Sequence, residues 1–492
     1  MKKVVILGAG PGGLAAGLIL QNQGFDVTII EKEANVGGRS RKIKLGDFSF
    51  DLGPTFLMHL KPLREIFALG GFDLDTSLEL IRLDPLYRLV FDTQTLVIHQ
   101  EKEKNIAMFN SIEQGLGTAY TKWYDNQEKK LSAITPILEN PFPSWTHFFR
   151  KDVLQAIPYV HPFKTVYQML KRYNKNPYFI HALSFQAKYL GMASYQAPSI
   201  FTILPYLEHH GGLYHVKGGL NQIAETMAKL FIEKKGTLHL NTKINHVHVN
   251  QKVITSLEDD KGNHYEADAF ILNSDFAYTM TQLFKSSDLK KYTPKVIAKK
   301  DYSVSTWMLY IGLNTTLDLP HHEIIFSKDY DLYLKDLMQG KLSEDISVYI
   351  HNPSVIDDTY APKGKSALYI LVPVPNETAN IAWDQKSPLI KDKVISLIKD
   401  KHGIDITHFI ETSLIYTPYD WMTKNHVYQG AVFNLSHKLS QMLHRRPHNK
   451  FEEFHNAYLV GGGTHPGSGL PTIYQSALIS AKLLMKDMGH NL

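Results

Sequence analysis

The run Gly8-Ala9-Gly10-Pro11-Gly12-Gly13 and the carboxylate Glu31, 18 residues past Gly13, have the types and spacing of a dinucleotide site. Gly8 permits a tight turn, Gly10 lets backbone approach a pyrophosphate, and Gly13 lets a helix pack closely on a strand, with Gly12 in the same cradle. A helix starting here points free N–H groups and a positive dipole end at phosphates. Glu31 would accept hydrogen bonds from an adenosine ribose. A 2′-phosphate would meet a carboxylate there, which disfavours NADP.

Such a loop has this use only between a strand and a helix. Val4, Val5, Ile6 and Leu7 form a short apolar run suited to a buried strand. Leu14, Ala15, Leu18 and Ile19 give the next segment a helical inward face, and Val27-Thr28-Ile29-Ile30 reads as a second strand ending at Glu31. The opening is therefore a βαβ unit. It is followed by Gly37-Gly38-Arg39 and Phe50-Asp51-Leu52-Gly53-Pro54-Thr55. Gly38 and Arg39 can bring backbone and a guanidinium onto the phosphates of a long cofactor, although the same three residues would also serve as a surface turn. Gly53 and Pro54 can lay bare backbone against a flat ring.

The chain has 492 residues, 43% hydrophobic and 21% charged, with 32 Gly and 23 Pro spread along it, which excludes disordered, collagenous and coiled-coil classes. A net charge of +5 over this length gives no argument for nucleic acid as a partner. Having no cysteine, the chain cannot build disulfides, thiolate metal sites or a cysteine nucleophile. No signal peptide is expected, because the apolar run at residues 4–7 meets Gly8, and no transmembrane helix, because the longest apolar stretches are about half of the ~20 residues a span needs. His246 and His248 would share one face of a strand and His209 adjoins His210, but no third ligand stands at a recognisable spacing. No metal site is expected.

Fifteen aromatics fall between Trp145 and Tyr214, among helical segments broken by Pro158, Pro162, Pro177 and Pro198. Strand patterns return over residues 237–240, 244–249 and 269–272 and alternate with polar loops over residues 303–375. The chain closes with a short strand at residues 458–460, a glycine-rich loop at 461–469 and a helix over 470–485, whose Leu470, Ile473, Ala477, Leu478, Ala481, Leu484 and Met485 share one face. The expected fold class is α/β.

Residues 8–13, Glu31, Gly37-Gly38-Arg39 and residues 50–55 together resemble the flavin-containing amine oxidase and phytoene desaturase superfamily, and within it the bacterial carotenoid (phytoene/diapophytoene) desaturases. Similar stretches continue in order through Lys217-Gly218-Gly219, Ala361-Pro362-Lys363-Gly364, Thr417-Pro418-Tyr419-Asp420 and the narrower Thr464-His465-Pro466-Gly467-Ser468-Gly469-Leu470-Pro471. The resemblance implies a Rossmann-like FAD-binding domain assembled from three sequence segments, residues 1–75, 216–285 and 406–492. It implies an inserted α+β substrate domain, with a helical, basic, aromatic-rich, membrane-facing segment at 76–215 and a sheet at 286–405. It also implies that the strand near Ile244 to Val249 lays its backbone against the adenine, with Val247 as a contact, that the loop holding Gly463 passes beside the flavin, and that the helix bearing Pro471 aims its positive end at the ring.

The activity implied is FAD-dependent desaturation of a carotene or apocarotene such as phytoene. With no second fingerprint for a nicotinamide domain, oxygen or a quinone is the expected electron acceptor. Oxidation of a terminal methyl group is the alternative within the family; an amine oxidase and a non-enzymatic isoprenoid carrier are more distant ones. His465 either takes up the released proton or only shapes its loop. Asp152 resembles an acidic position that in bacterial desaturases is often followed by an arginine three residues on; Gln155 stands there here, which leaves Asp152 open to being a solvated helix residue. A hydrophobic polyene dissolves in bilayers, so peripheral attachment to the cell membrane from the cytoplasm is expected through residues 145–189. There Arg150, Lys151, Lys164, Lys171, Arg172, Lys175 and Lys188 outnumber Asp152, and Trp145, Phe148, Phe149, Phe163, Tyr167, Tyr173, Tyr178 and Phe179 interleave with them.

Overall fold

The computed structural model describes residues 1–490. Its first strand, Lys3–Leu7, pairs in parallel with Asp26–Ile30 on one side and Ala269–Leu272 on the other. Both of its faces are covered, which is why the strand is a continuous apolar run rather than an alternating one. Val4 and Ile6 point into a core shared with helices Pro11–Asn22, Asn221–Glu233 and Leu470–Asp487. Val5 and Leu7 point the other way, onto Val247, Ile254 and Leu257 of a three-stranded antiparallel sheet. The parallel sheet has five strands in the order Ala457–Leu459, Ala269–Leu272, Lys3–Leu7, Asp26–Ile30, Thr237–His239. The beginning, middle and end of the chain thus build one α/β layer.

A second, seven-stranded sheet runs Ile410–Tyr416, Ser305–Leu313, Ser366–Val374, Val348–His351, His322–Ile325, Tyr87–Val90, Thr95–Ile98. Helix Trp383–His402 covers one face through Trp383, Ile390, Val394 and Ile398. The expected division after residue 405 is corrected by the strand Ile410–Tyr416, which pairs antiparallel with Ser305–Leu313. The chain extends the edge of this sheet before it returns to the parallel one at Ala457–Leu459.

Between the strand pair at residues 87–98 and the strand Tyr214–Val216 lies a helical region dominated by Leu116–Leu138. Its core takes Tyr120, Trp123, Phe179 and Phe185, with Tyr167, Tyr173 and Tyr178 packed against them. That corrects the expected membrane-facing set: Phe179 is buried, and Tyr167, Tyr173 and Tyr178 are partly buried against this core. The rings that do face outward are confined to residues 145–163: Trp145 is 62%, Phe149 69% and Phe163 93% exposed, beside Leu154 and Ile157 of helix Lys151–Val160. No helix among the described residues is long and apolar enough to cross a membrane.

Candidate functional site

A cavity of about 530 Å³ takes its wall from both sheets and from the helical region. One end is made of backbone. Gly8 adopts φ +97° and donates its N–H to the Ile30 carbonyl at 2.8 Å. A Cβ on Gly13 would lie 2.1 Å from the Gly8 carbonyl oxygen, and one on Gly12 2.4 Å from the Val460 side chain. Helix Pro11–Asn22 seats on its strand only because both are glycine. At Gly10 such a Cβ would meet the Asn273 side-chain amide at 3.2 Å, close enough that the amide must give slightly, and the remaining space belongs to the cavity that Gly10 lines.

Other backbone closes on this cradle. Gly38 brings its Cβ position within 3.3 Å of the Gly10 Cα, and Gly53 would set one 2.5 Å from the Arg39 carbonyl oxygen. Pro54, Gly463 and Pro471 line the same wall, Pro471 in the first turn of Leu470–Asp487. Glu31 is buried; desolvation raises its pKa, against N–H bonds accepted from Ala9 at 2.8 Å and Glu33 at 3.1 Å. Arg39 donates to the Val432 carbonyl at 2.6 Å and to Asp275 at 2.7 Å, and Asp275 also accepts from Asn434 at 2.9 Å. Neither Asp275, the partner of Arg39, nor Asn434, which holds Asp275, is legible in the sequence, since neither stands near a recognisable motif. A buried carboxylate, a fixed guanidinium, a glycine cradle and two helix N-termini on one wall fit FAD: Glu31 suits a ribose, residues 10–12 and 38–39 a pyrophosphate, and residues 53–54 and 463–471 a flat ring.

Three expected site residues stand elsewhere. Val247 is wholly buried between the parallel and antiparallel sheets; the same segment reaches the cavity at Thr242, Lys243 and Ile244, so any adenine contact shifts to the start of that strand. His465 turns away from the cavity and donates from Nε2 to the Asn140 carbonyl at 3.1 Å, while its own carbonyl accepts from Asn449 at 2.9 Å. Burial pulls its pKa down to about 4, and its ring lines a separate recess with Phe142 and His448. It shapes the loop. Asp152 is bound by the guanidinium of Arg150 at 2.6 and 3.1 Å, which lowers its pKa, and it does not line the cavity. A residue that the sequence did not single out, His437, accepts the Ser468 N–H at 3.0 Å and fixes the closing loop from behind.

The other end of the cavity is made of side chains: Phe56, Ile134, Leu138, Tyr189, Leu207 and Ile324 among them. Behind Leu207, Glu208 is fully buried and accepts from the Tyr87 hydroxyl at 2.8 Å and the Gln186 amide at 2.9 Å. Burial raises Glu208 to about 7. Lys188, also in the wall, lies 5.2 Å from the Tyr330 ring centre, and burial lowers its amine to about 7.

The sequence pattern of the flavin containing amine oxidoreductase family matches residues 11–485. A 4,4'-diapophytoene desaturase (4,4'-diapolycopene-forming) of Methylomonas sp is 43% identical over 499 residues, covering 100% of this chain and 98% of that protein. An all-trans-zeta-carotene desaturase of Myxococcus xanthus is 31% identical over 504 residues, covering 99% and 94%. Among solved structures, cyclohexylamine oxidase from Brevibacterium oxydans shares the fold with a TM-score of 0.63 at 12% identity, over 99% of this chain and 100% of that one. With a glycine cradle fitted to FAD and a family match across nearly its whole length, the chain belongs to the flavin containing amine oxidoreductase family and is an FAD-dependent oxidoreductase.

Proposed function

We propose that the protein desaturates a linear carotenoid precursor, with diapophytoene favoured over phytoene because a diapophytoene desaturase is 43% identical to this chain and a phytoene desaturase 29%. The observation that carries this reading is one cavity with a backbone-lined end suited to FAD and an apolar end suited to a polyene. FAD held by residues 10–12, Glu31 and residues 38–39 would supply a two-electron acceptor for a hydride from an allylic carbon, to be reoxidised by oxygen or a quinone. Phe56, Ile134, Leu138 and Leu207 hold the chain extended and exclude water, so the developing positive charge is spread over the substrate's own double bonds. The neighbouring carbon then loses a proton, which needs no strong base. Lys188, with its amine near 7, is a group in the wall able to hold that proton.

Substrate delivery in this reading runs through the outward rings of residues 145–163. Helix Lys151–Val160 packs against Leu116–Leu138, and the latter contributes Leu131, Ile134 and Leu138 to the cavity wall. A membrane surface met by Trp145, Phe149 and Phe163, with Arg150, Lys151 and Lys164 at headgroup level, lies one helix away from the polyene site. The same reading divides the chain near residues 75, 215 and 285, with the last division moved beyond residue 416.

Expression in a host supplied with phytoene or diapophytoene, followed by pigment chromatography with mass detection, tests the assignment. Products that have lost two hydrogens per step, formed faster from diapophytoene, support it. Unchanged substrate, or products that gain oxygen, overturn it.

A further inference from the structure

Three histidines distant in sequence converge behind the cavity wall. His215 sits in the strand Tyr214–Val216, His321 directly precedes His322–Ile325, and His351 ends Val348–His351. Register brings the last two together: His322 pairs with His351, and the Asn352 N–H donates to the His321 carbonyl at 3.0 Å. His215 arrives from outside that sheet, on a strand paired with Leu80–Arg82. All three are buried, His351 at 1% exposure, and one ring nitrogen from each lies within 4.8 Å of the others.

Hydrogen bonding leaves this cluster incomplete. His215 donates from Nε2 to Asp357 at 2.8 Å, so its Nδ1 carries the lone pair, and the bond it accepts there from Nε2 of His321 is at the long end of hydrogen bonding. Asp357 is fixed in turn by the Gly218 N–H at 2.7 Å and by the Thr359 N–H and hydroxyl at 2.9 and 2.7 Å. Nε2 of His321 lies 3.3 Å from Nδ1 of His215, while Nδ1 of His321 and both nitrogens of His351 have no partner among the described residues. A neutral imidazole has one donor and one acceptor, and native interiors rarely leave both unsatisfied.

We propose that His215, His321 and His351 bind a divalent cation of the zinc type, with Asp357 orienting His215, and that the ion clamps the strand Tyr214–Val216 to the seven-stranded sheet. Two imidazole nitrogens at about 2.0–2.1 Å from one tetrahedral zinc stand about 3.3–3.4 Å apart, which is the separation between His215 and His321. A carboxylate on the far nitrogen of a ligating histidine sets its tautomer and raises its basicity. An all-imidazole set selects zinc over calcium or magnesium, which take oxygen ligands. The clamp supports the cavity directly: His322, beside His321, stacks on Phe56 with ring centres 4.4 Å apart and meets the Tyr349 hydroxyl at 2.8 Å, and both partners line the cavity.

Metal analysis of untagged, full-length protein, as isolated and after equilibration with zinc, should find close to one zinc per chain. Exchange into cobalt should give the visible d–d absorption of a tetrahedral nitrogen site. H321Q/H351Q should lose both, and Asp357→Asn should weaken zinc affinity by about 10–100-fold. His264→Gln, in the surface group His248, Glu258 and His264, should change neither. For wild-type protein, a chelator should lower the thermal midpoint and zinc should restore it, a readout that does not depend on the double variant folding. Wild-type protein that takes up no stoichiometric zinc or cobalt overturns the proposal, as does metal retained in H321Q/H351Q or left unweakened by Asp357→Asn.

Discussion

The two ends of the cavity are built by opposite means. At the FAD end the wall is backbone, and the shape depends on where a Cβ cannot go: Gly12, Gly13 and Gly53 each have another protein atom within 2.5 Å of the place a Cβ would occupy. At the polyene end the wall is side chain, contributed by Phe56, Ile134, Tyr189, Leu207 and Ile324 from separate segments. Backbone close to a ligand tolerates almost no substitution, because no rotamer relieves the clash. A wall of aliphatic and aromatic groups tolerates exchange provided volume is kept. The difference teaches that the first end should fail by loss of fold or of cofactor binding and the second by loss of turnover.

The sharpest break in that contrast comes from the glycines. Gly13→Val should lose folded protein, since the new Cβ meets the Gly8 carbonyl oxygen at 2.1 Å, whereas Gly10→Val should remain folded and release no flavin on denaturation, its side chain filling space meant for a pyrophosphate. Circular dichroism with flavin extraction separates the two; a flavin-loaded Gly10→Val would erase the distinction. At the other end, Leu207→Trp should keep its flavin and lose about tenfold or more in product formed, by occupying polyene space. Equal loss of flavin and product would mean that the two ends are not independent.

Between these lies an effect of pH. Glu208 is held near 7 in the folded chain against an ordinary 4.5, so between these values the folded state binds the extra proton. Its contribution is complete below about pH 4.5 and is lost as pH rises through 7. Glu208→Gln should therefore be more stable than wild type above pH 7, by up to about 3 kcal/mol, and should lose that advantage by pH 4.5. Denaturant titrations at both pH values check the sign. The smallest effect on stability should come from the surface: the triple change of Trp145, Phe149 and Phe163 to Ser should move stability by about 0.5 kcal/mol or less per residue, yet reduce flotation with anionic vesicles. Undiminished flotation would place membrane contact elsewhere.

The fold was legible wherever local chemistry decided it. The strand, glycine turn and helix at residues 3–22 and the closing loop and helix at 461–487 stand where the apolar periodicity and glycines put them. The assembly from three segments followed from family resemblance rather than from periodicity, since strand order is not a local property. Misplacements arose at positions whose role depends on orientation. Val247 and Ile244 sit on one strand, yet only Ile244 reaches the cavity, because the strand enters it end-on. His465 is in the expected loop with its ring turned to Asn140, and the basic, aromatic stretch at 145–189 divides into an exposed part and a buried part that composition does not distinguish.

What the sequence determined by itself was the cofactor cradle, because a positive φ at Gly8 and a vanishing side chain at Gly13 are demands met within a few neighbouring residues. What only the tertiary structure decided was every site made of converging side chains. Arg39 finds Asp275 across 236 residues, and His215 meets His321 across 106. No spacing encodes such pairs: they exist only once the strands have chosen neighbours and register, and that choice is made by burial over the whole chain.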